Sequence, residues 1–406
     1  MERVSIDIER KVFMEINYIV IKKAFKNITI TGLIIFLLFL LFALTGCDSR
    51  KSGSESDLGN GWKPVKHMKL KYAKQFSVYY YKDGYKLIRL HDGSKFLVVP
   101  EGKDAPNGID KKISVLRQPI NRIYLAATAS MCLFDRLGSI DNIKYSGAEH
   151  DDWYIENARK AMEEGRISFV GKYNQPDYEA LASGKCDVAI ENTMINHVPA
   201  VKKKLEEFDI PVFTDQSSLE NHPLGRTEWI KVYGAMLNKE PEAEKIFDEQ
   251  VKVLEVIDNK KTNKTVAFFT ILPSGQVMVR KSGDYVSKMI NLAGGKYVFR
   301  NIGDHKKVRA TVTIDMEDFY KQAKSADILI YNNTIGGTIT SISQLEQMNP
   351  LMKEFKAVKN GNVWYTGQNL YQETTGFGQM ISDMHKVFVD GNVDSDSLTY
   401  LHKFSS

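Results

Sequence analysis

The chain has 406 residues with 55 Lys/Arg against 50 Asp/Glu, a formal charge of +5, and 43% hydrophobic residues. The length allows two domains with sizeable cores. The near balance of charge, with no basic run of the kind that tracks phosphates, argues against nucleic acid as a partner.

In chain order the first signal is a leader. Lys22, Lys23 and Lys26 precede an unbroken apolar run of twelve residues, Leu33 to Leu44, which closes on Leu44-Thr45-Gly46-Cys47. A basic flank, a short apolar core and small residues before a cut site make a secretory signal. Twelve apolar residues fall short of the roughly 20 that span a bilayer as a helix. The alternative is an uncleaved anchor, because Ile28, Thr29 and Ile30 lengthen the stretch. The Leu-Thr-Gly-Cys ending resembles the lipobox of bacterial lipoproteins. That resemblance implies a signal peptide over residues 1–46, a lipid (palmitate-type acyl chains) on Cys47, and a location outside the cell, on the outer face of its membrane. Residues 47–61, rich in Gly, Ser and charge, then form a flexible tether. Translation starts at Met1 or at Met14. Removing residues 1–47 leaves 359 residues with 49 Lys/Arg and 46 Asp/Glu, a net +3.

Residues 62–110 follow as a small β-meander extension. The runs Phe76 to Tyr81, Tyr85 to Leu90 and Phe96 to Val99 are separated by Lys82-Asp83-Gly84 and His91-Asp92-Gly93. Asp-Gly between apolar runs is a hairpin signal.

From Ile113 short apolar strands alternate with helical patterns. Strands are expected at Arg122 to Leu125, Ile167 to Val170, Asp187 to Ile190 and Pro211 to Phe213. Helices are expected at Thr128 to Leu137, Trp153 to Glu164, Asp177 to Ala182, Pro199 to Phe208 and Arg226 to Leu237. Glu240 to Lys260 is one long amphipathic helix, with Ala243, Ile246, Phe247, Val251, Leu254 and Ile257 at helical spacing and Pro241 in its first turn. The alternation then resumes, with strands at Val266 to Ile271, Ile328 to Tyr331 and Val363 to Tyr365. Helices are expected at Tyr285 to Leu292, Met316 to Lys324, Ser343 to Phe355 and Gly378 to Val389. Such alternation argues for parallel βαβ units. The expected fold is therefore α/β: two Rossmann-like lobes, 111–239 and 262–406, joined by a single long backbone helix at 240–261. Cys132 and Cys186 sit in apolar patterns and read as buried free cysteines rather than a disulfide.

Two lobes on one helical spine behind a lipoprotein leader resemble the ABC-transporter substrate-binding proteins that serve ferric siderophores, haem and cobalamin. The echoes are Gln175-Pro-Asp-Tyr-Glu-Ala-Leu-Ala-Ser-Gly-Lys-Cys-Asp-Val-Ala-Ile190, Glu220-Asn-His-Pro-Leu-Gly-Arg-Thr-Glu-Trp-Ile-Lys231, Ser282-Gly-Asp-Tyr-Val-Ser-Lys-Met-Ile-Asn-Leu-Ala-Gly-Gly295, Met316-Glu-Asp-Phe-Tyr320 and Phe355-Lys-Ala-Val-Lys-Asn-Gly-Asn-Val-Trp364. Cys186 stands where the family has proline. The resemblance covers roughly residues 113–390 and leaves the meander without a role. It implies a monomeric receptor with no intrinsic cofactor, which carries a ferric chelate or haem to a permease dimer with its ATPase. It also implies that Glu179 and Glu317 dock into arginine pockets on the two permease subunits, with Asp318 the alternative to Glu317. A carboxylate accepts two parallel hydrogen bonds from a guanidinium, so such pairing is both charged and oriented.

Ligands of open α/β sheets bind outside the carboxyl ends of the strands. The loops there are Ala126 to Ser130, Ala148 to Trp153, Glu191 to Met194, Asp215 to Arg226, Leu272 to Arg280, Asn332 to Thr338 and Thr366 to Tyr371. Their Thr, Ser, Asn and aromatic content suits a bulky ligand. Thr128, Asn192, Thr193 and Asn332 are candidate hydrogen-bonding residues. Arg226 and Arg280 can pair with an anionic chelate or propionate, and Trp153, Tyr285 and Tyr371 can stack on a ring. Glu149-His150-Asp151-Asp152 and His222 offer a competing reading, a receptor for bare Mn²⁺ or Zn²⁺. A surface lipoprotein that senses or scaffolds is another. No Gly-x-Ser-x-Gly, phosphate-loop, His-Glu-x-x-His or dinucleotide fingerprint is present, so an enzyme is not expected.

Overall fold

In the computed structural model the Asp-Gly signals make the expected hairpins, with Asp83 and Gly84 both at positive φ (59° and 85°). The structure describes residues 58–59, 61–257, 261–302, 310–335 and 337–405. The leader, Cys47, the tether up to Asp57 and the last expected turn of the connecting helix at 258–260 lie outside the described residues. Strands β1 (Lys66–His67), β2 (Phe76–Tyr80), β3 (Lys86–Leu90) and β4 (Lys95–Val99) are antiparallel neighbours in that order. A fifth strand, β5 (Ile113–Arg117), lies parallel to β4, with Lys95 opposite Ile113. The meander thus runs past residue 110, and Ile113 closes this sheet rather than opening the next. A five-residue run such as Ile-Ser-Val-Leu-Arg carries no sign of which sheet it joins, so only the tertiary pairing decides.

The sheet shares its core with the first lobe. Phe76, Val78, Ile88, Leu90, Phe96 and Val98 alternate onto one face and pack with Phe213, Trp229 and Tyr233. Phe76 lies 5.1 Å from Trp229, and Phe96 5.0 Å from Phe213, between ring centroids. Two buried carboxylates grip the chain where it enters β2. Glu228 accepts the backbone N–H groups of Lys71, Tyr72 and Ala73 at 2.7–3.1 Å. Glu220 accepts those of Lys74 and Gln75 at 2.9–3.0 Å. Lys86 is 6% exposed and donates to the Ala235 carbonyl at 2.8 Å and the Asn238 amide oxygen at 2.7 Å. It also pairs with Glu240 at 2.6 Å, so one ammonium ties the sheet to the start of the connecting helix. Lys86→Met removes all three bonds and is expected to lower stability by about 2 kcal/mol, measured as a lower urea midpoint. An unchanged midpoint would contradict the brace.

The first lobe is built on β6 (Ile123–Leu125), β7 (Ile143–Ser146), β8 (Ser168–Phe169), β9 (Val188–Asn192) and β10 (Val212–Asp215). All are parallel, in the order β10-β9-β6-β7-β8. A parallel sheet must be covered on both faces, and α1 (Met131–Arg136), α2 (Glu156–Glu163), α3 (Tyr178–Ser183), α4 (Pro199–Glu207), α5 (Pro223–Glu228) and α6 (Ile230–Leu237) do so. Asp177 caps α3 through the Ala180 N–H. The single helix expected from Arg226 begins earlier, at Pro223, and divides at Trp229. Strand order reverses between β6 and β9, which opens a crevice outside their carboxyl ends.

Helix α7 (Glu240–Val256) is the connector; its 17 residues span about 26 Å. The second lobe holds β11 (Thr265–Ile271), β12 (Val277–Arg280), β13 (Lys296–Tyr297), β14 (Thr311–Ile314), β15 (Ile328–Asn332), β16 (Val363–Thr366) and β17 (Leu401–Lys403). The order is β14-β12-β11-β15-β16-β17, with β13 also beside β11. Helices α8 (Tyr285–Leu292), α9 (Met316–Ala323), α10 (Ile342–Met348), α11 (Lys356–Lys359) and α12 (Phe377–Val389) flank this sheet. Two expectations are corrected. Leu272 to Arg280 is not all loop: after the turn at Gly275, Val277–Arg280 folds back as a strand antiparallel to β11. The helix expected over Ser343 to Phe355 stops at Met348, and Asn349 caps a separate 3-10 turn, Pro350–Glu354, because proline disfavours helix in the residue before it.

Candidate functional site

Arg226 on α5 and Arg280 at the end of β12 come from different lobes and reach the same ring. Their guanidinium carbons lie 3.8 and 5.8 Å from the centroid of Tyr285. Two carbonyl oxygens aim Arg226: Nε donates to Glu220 O at 3.2 Å and Nη2 to Ser218 O at 2.6 Å. Burial, with the like charge of Arg280 adding to it, draws Arg226 below the ordinary arginine range, against the pull of Tyr285, Asp284 and Asp215. Arg280 is 7% exposed. Its Nη2 donates to the Tyr371 hydroxyl, and its Nη1 stands 3.7 Å from Asp284. Burial lifts the Asp284 carboxyl above its usual range while Arg280 opposes that shift. Asn332, at the end of β15, donates to the same Tyr371 hydroxyl at 3.0 Å. Asp284 acts on both cations and Asp215 on Arg226, and charged groups buried between the lobes are poorly screened.

The other polar candidates lie at strand ends of the first lobe. Asn192, at the end of β9, donates to Ala126 O at 3.2 Å and caps the next turn through the Met194 N–H at 2.8 Å. It thereby ties together the two loops at the strand-order reversal. Thr193 lies 3.4 Å from Ser218, whose carbonyl holds Arg226. Thr128 is exposed on the turn after β6. At the end of β10 Asp215 accepts hydrogen bonds from Ser130 at 2.6 Å, from Tyr233 and from the Ser217 N–H at 2.8 Å.

The structure therefore brings Arg226, Arg280, Tyr285, Asn332 and Tyr371 together, whereas Thr128, Asn192 and Thr193 lie on strand-end loops of the first lobe. Trp153 does not join them. It is fully buried and its indole donates to Ser146 at 3.1 Å, so it is a core residue and offers no ring face to a ligand. Tyr285 is 4% exposed, stacks on Phe377 at 5.2 Å and already carries Arg226. It orients the arginine rather than presenting a free platform. His150 bonds Asp151 at 2.7 Å and Glu163 at 2.8 Å. His222 caps α5 at the Leu224 N–H and stacks on Tyr72 at 4.2 Å. Burial and the Lys288 charge hold His222 down to about 4. The imidazoles that suggested a bare metal ion thus serve local structure, and among the described residues no three His, Cys, Asp or Glu side chains converge as a metal site.

Residues missed from the sequence hold the lobes in contact. Gln372 donates to Asp152 O at 2.7 Å and accepts from the Tyr154 N–H at 2.8 Å. Thr374 donates to Ala129 O at 3.2 Å and accepts from Thr227 at 2.7 Å; Cys132, a buried free cysteine like Cys186, lies 3.4 Å from its hydroxyl. These pairs are 147 to 245 residues apart in the chain, and no local pattern announces them.

Glu179 and Glu317 both lie exposed in the first turn of a helix, α3 and α9 respectively, one in each lobe. Asp318 pairs with Lys321 at 3.5 Å, whereas among the described residues neither Glu179 nor Glu317 has an ion-pair partner.

Residues 147–370 match the family model described as periplasmic binding protein. An uncharacterized lipoprotein of Methanocaldococcus jannaschii is 26% identical over 380 residues, 83% of this chain and 87% of that one. Among solved structures, a periplasmic heme binding protein from Pseudomonas aeruginosa superposes with a TM-score of 0.53 at 15% identity, over 70% of this chain and 98% of that one. A possible iron-binding (periplasmic solute-binding) protein from Staphylococcus epidermidis gives 0.51 at 16% identity, over 66% and 99%. At such identities the likeness establishes the fold: two α/β lobes.

Proposed function

We propose, since the chain belongs to the periplasmic binding protein family, that it is a lipid-anchored extracytoplasmic receptor that captures an iron complex, a ferric siderophore or haem, and delivers it to an ABC permease. The observation that carries this reading is the convergence of Arg226 and Arg280, one from each lobe, on a single ring. Guanidinium pairs bind carboxylate and catecholate oxygens in oriented fashion, and such groups decorate ferric chelates and haem. Arg280 and Asn332 both donate to the Tyr371 hydroxyl, which occupies its oxygen and leaves its O–H to donate to a ligand. Anchoring is supported by Leu44-Thr45-Gly46-Cys47 and by the lipoprotein name of the relative. A tether raises the receptor's effective concentration at the permease. Glu179 and Glu317 are the proposed docking carboxylates.

Titration with a panel of ferric siderophores, haem and cobalamin tests the reading; no binding by any member at micromolar concentration would sink it. For a ligand that does bind, Arg226→Ala and Arg280→Ala are each expected to weaken affinity by roughly tenfold or more, the contribution of a charged hydrogen bond. Unchanged affinity in both variants would remove the arginines from the site.

A further inference from the structure

The N-terminal sheet carries a charge that the rest of the molecule does not. Residues 58–117 hold 13 Lys/Arg against 5 Asp/Glu, whereas residues 118–406 hold 34 against 38. Such asymmetry marks a surface built for an anionic partner. At the edge of the sheet where the described chain begins, a cavity of about 430 Å³ is lined by Trp62, Lys63, Pro64, Val65, Lys82 and Asp83. Trp62 stands edge-on against Tyr85 at 5.0 Å and Tyr81 at 6.1 Å, so its ring is held at the rim. Val65 is 60% exposed. Lys103 adds a third ammonium; it donates to Asp83 O at 2.9 Å and lies 3.6 Å from the Asp83 carboxylate. Among the described residues Lys63 and Lys82 have no ion-pair partner.

We infer that this patch docks on the headgroups of an anionic lipid bilayer. Tryptophan with an apolar neighbour suits the headgroup boundary, and lysines suit anionic headgroups. The chain itself favours this occupant. Eleven peptide steps separate Cys47 from Leu58, at most ~40 Å of backbone, so a lipid on Cys47 keeps the patch within reach of the membrane. The inference rests on the anchoring read at Cys47. A basic patch adds an electrostatic signal to that anchor.

Trp62 makes the test specific, because Trp153, Trp229 and Trp364 are fully buried. The full chain is added to vesicles of dioleoyl phosphatidylglycerol or dioleoyl phosphatidylcholine, each doped with lipid brominated near the headgroup. Flotation reads the anchor and tryptophan quenching reads the patch. Quenching is expected on the anionic vesicles alone, reversed by high salt and abolished by Trp62→Phe. Each lysine at an anionic surface is worth about fivefold in partitioning, so Lys63→Glu with Lys82→Glu and Lys103→Glu should raise the anionic lipid needed for half-maximal quenching by on the order of 100-fold or more. Flotation without quenching, equal quenching on both lipids, or capture by heparin without lipid quenching would overturn the inference. Loss of flotation on both lipids would sink the anchor alone, since Trp62 would still be quenched by excess anionic vesicles.

Discussion

Glu179→Ala combined with Glu317→Ala is expected to leave ligand affinity within about twofold of wild type while cutting uptake by at least two orders of magnitude. The magnitude follows from the chemistry of the proposed docking. Truncating one partner of a hydrogen-bonded charge pair costs about 2–5 kcal/mol, much of it the unpaired charge left behind, and two such contacts are lost together. Neither carboxylate has an ion-pair partner among the described residues, and both lie in the first turn of a helix far in sequence from the arginine pair. Folding and capture should therefore be spared. The measurement pairs a binding titration with uptake of the same labelled ligand. Normal uptake by the double variant would refute the docking assignment, and uptake lost in Asp318→Ala alone would move the second contact by one residue.

The second large effect concerns Glu191 at the carboxyl end of β9. It is fully buried, and among the described residues neither carboxylate oxygen has a hydrogen-bond partner. Burial lifts its carboxyl from the ordinary 4.5 to about 8. The fold holds the proton while the unfolded chain releases it, so stability falls as pH rises between these values. The contribution is fully present below about 4.5 and is lost by about 8, an interval that corresponds to at most ~5 kcal/mol. Glu191→Gln removes the titration. Its melting temperature relative to wild type is therefore expected to climb by several degrees from pH 5 to pH 9. A difference independent of pH would show that Glu191 is ionised, or solvated, in the fold.

Much of the scaffold was legible because it is local. Proline in the first helical turn at Pro199 and Pro241, the cap at Asp177 and the Asp-Gly turns each follow from a few adjacent residues, and each forms as expected. The alternation of apolar strands and helices sufficed for two α/β lobes on a spine. What failed was also local in character. Ile113–Arg117 and Val277–Arg280 are short runs whose partners lie in other strands, and their own periodicity cannot name those partners.

The candidate site divides the same way. Residue type and position after a strand made Arg226, Asn332 and Tyr371 candidates, since open parallel sheets present ligand loops at their carboxyl ends; Arg280, expected in such a loop, instead ends an antiparallel strand. Sequence could not tell that Trp153, in a similar loop, turns inward onto Ser146, or that Tyr285 is already covered by Arg226. Nor could it find Gln372 and Thr374, which close the lobes on each other. The sequence by itself determined the two-lobe plan, the spine and the chemistry of the strand-end loops, because those depend on spacing along the chain. Only the tertiary structure decided which side chains meet between the lobes, which are consumed in the core, and that the N-terminal sheet is bonded to the first lobe by Glu220, Glu228 and Lys86. Those outcomes depend on burial and on contacts across more than a hundred residues, where the desolvation of each polar group is settled by partners no local pattern names.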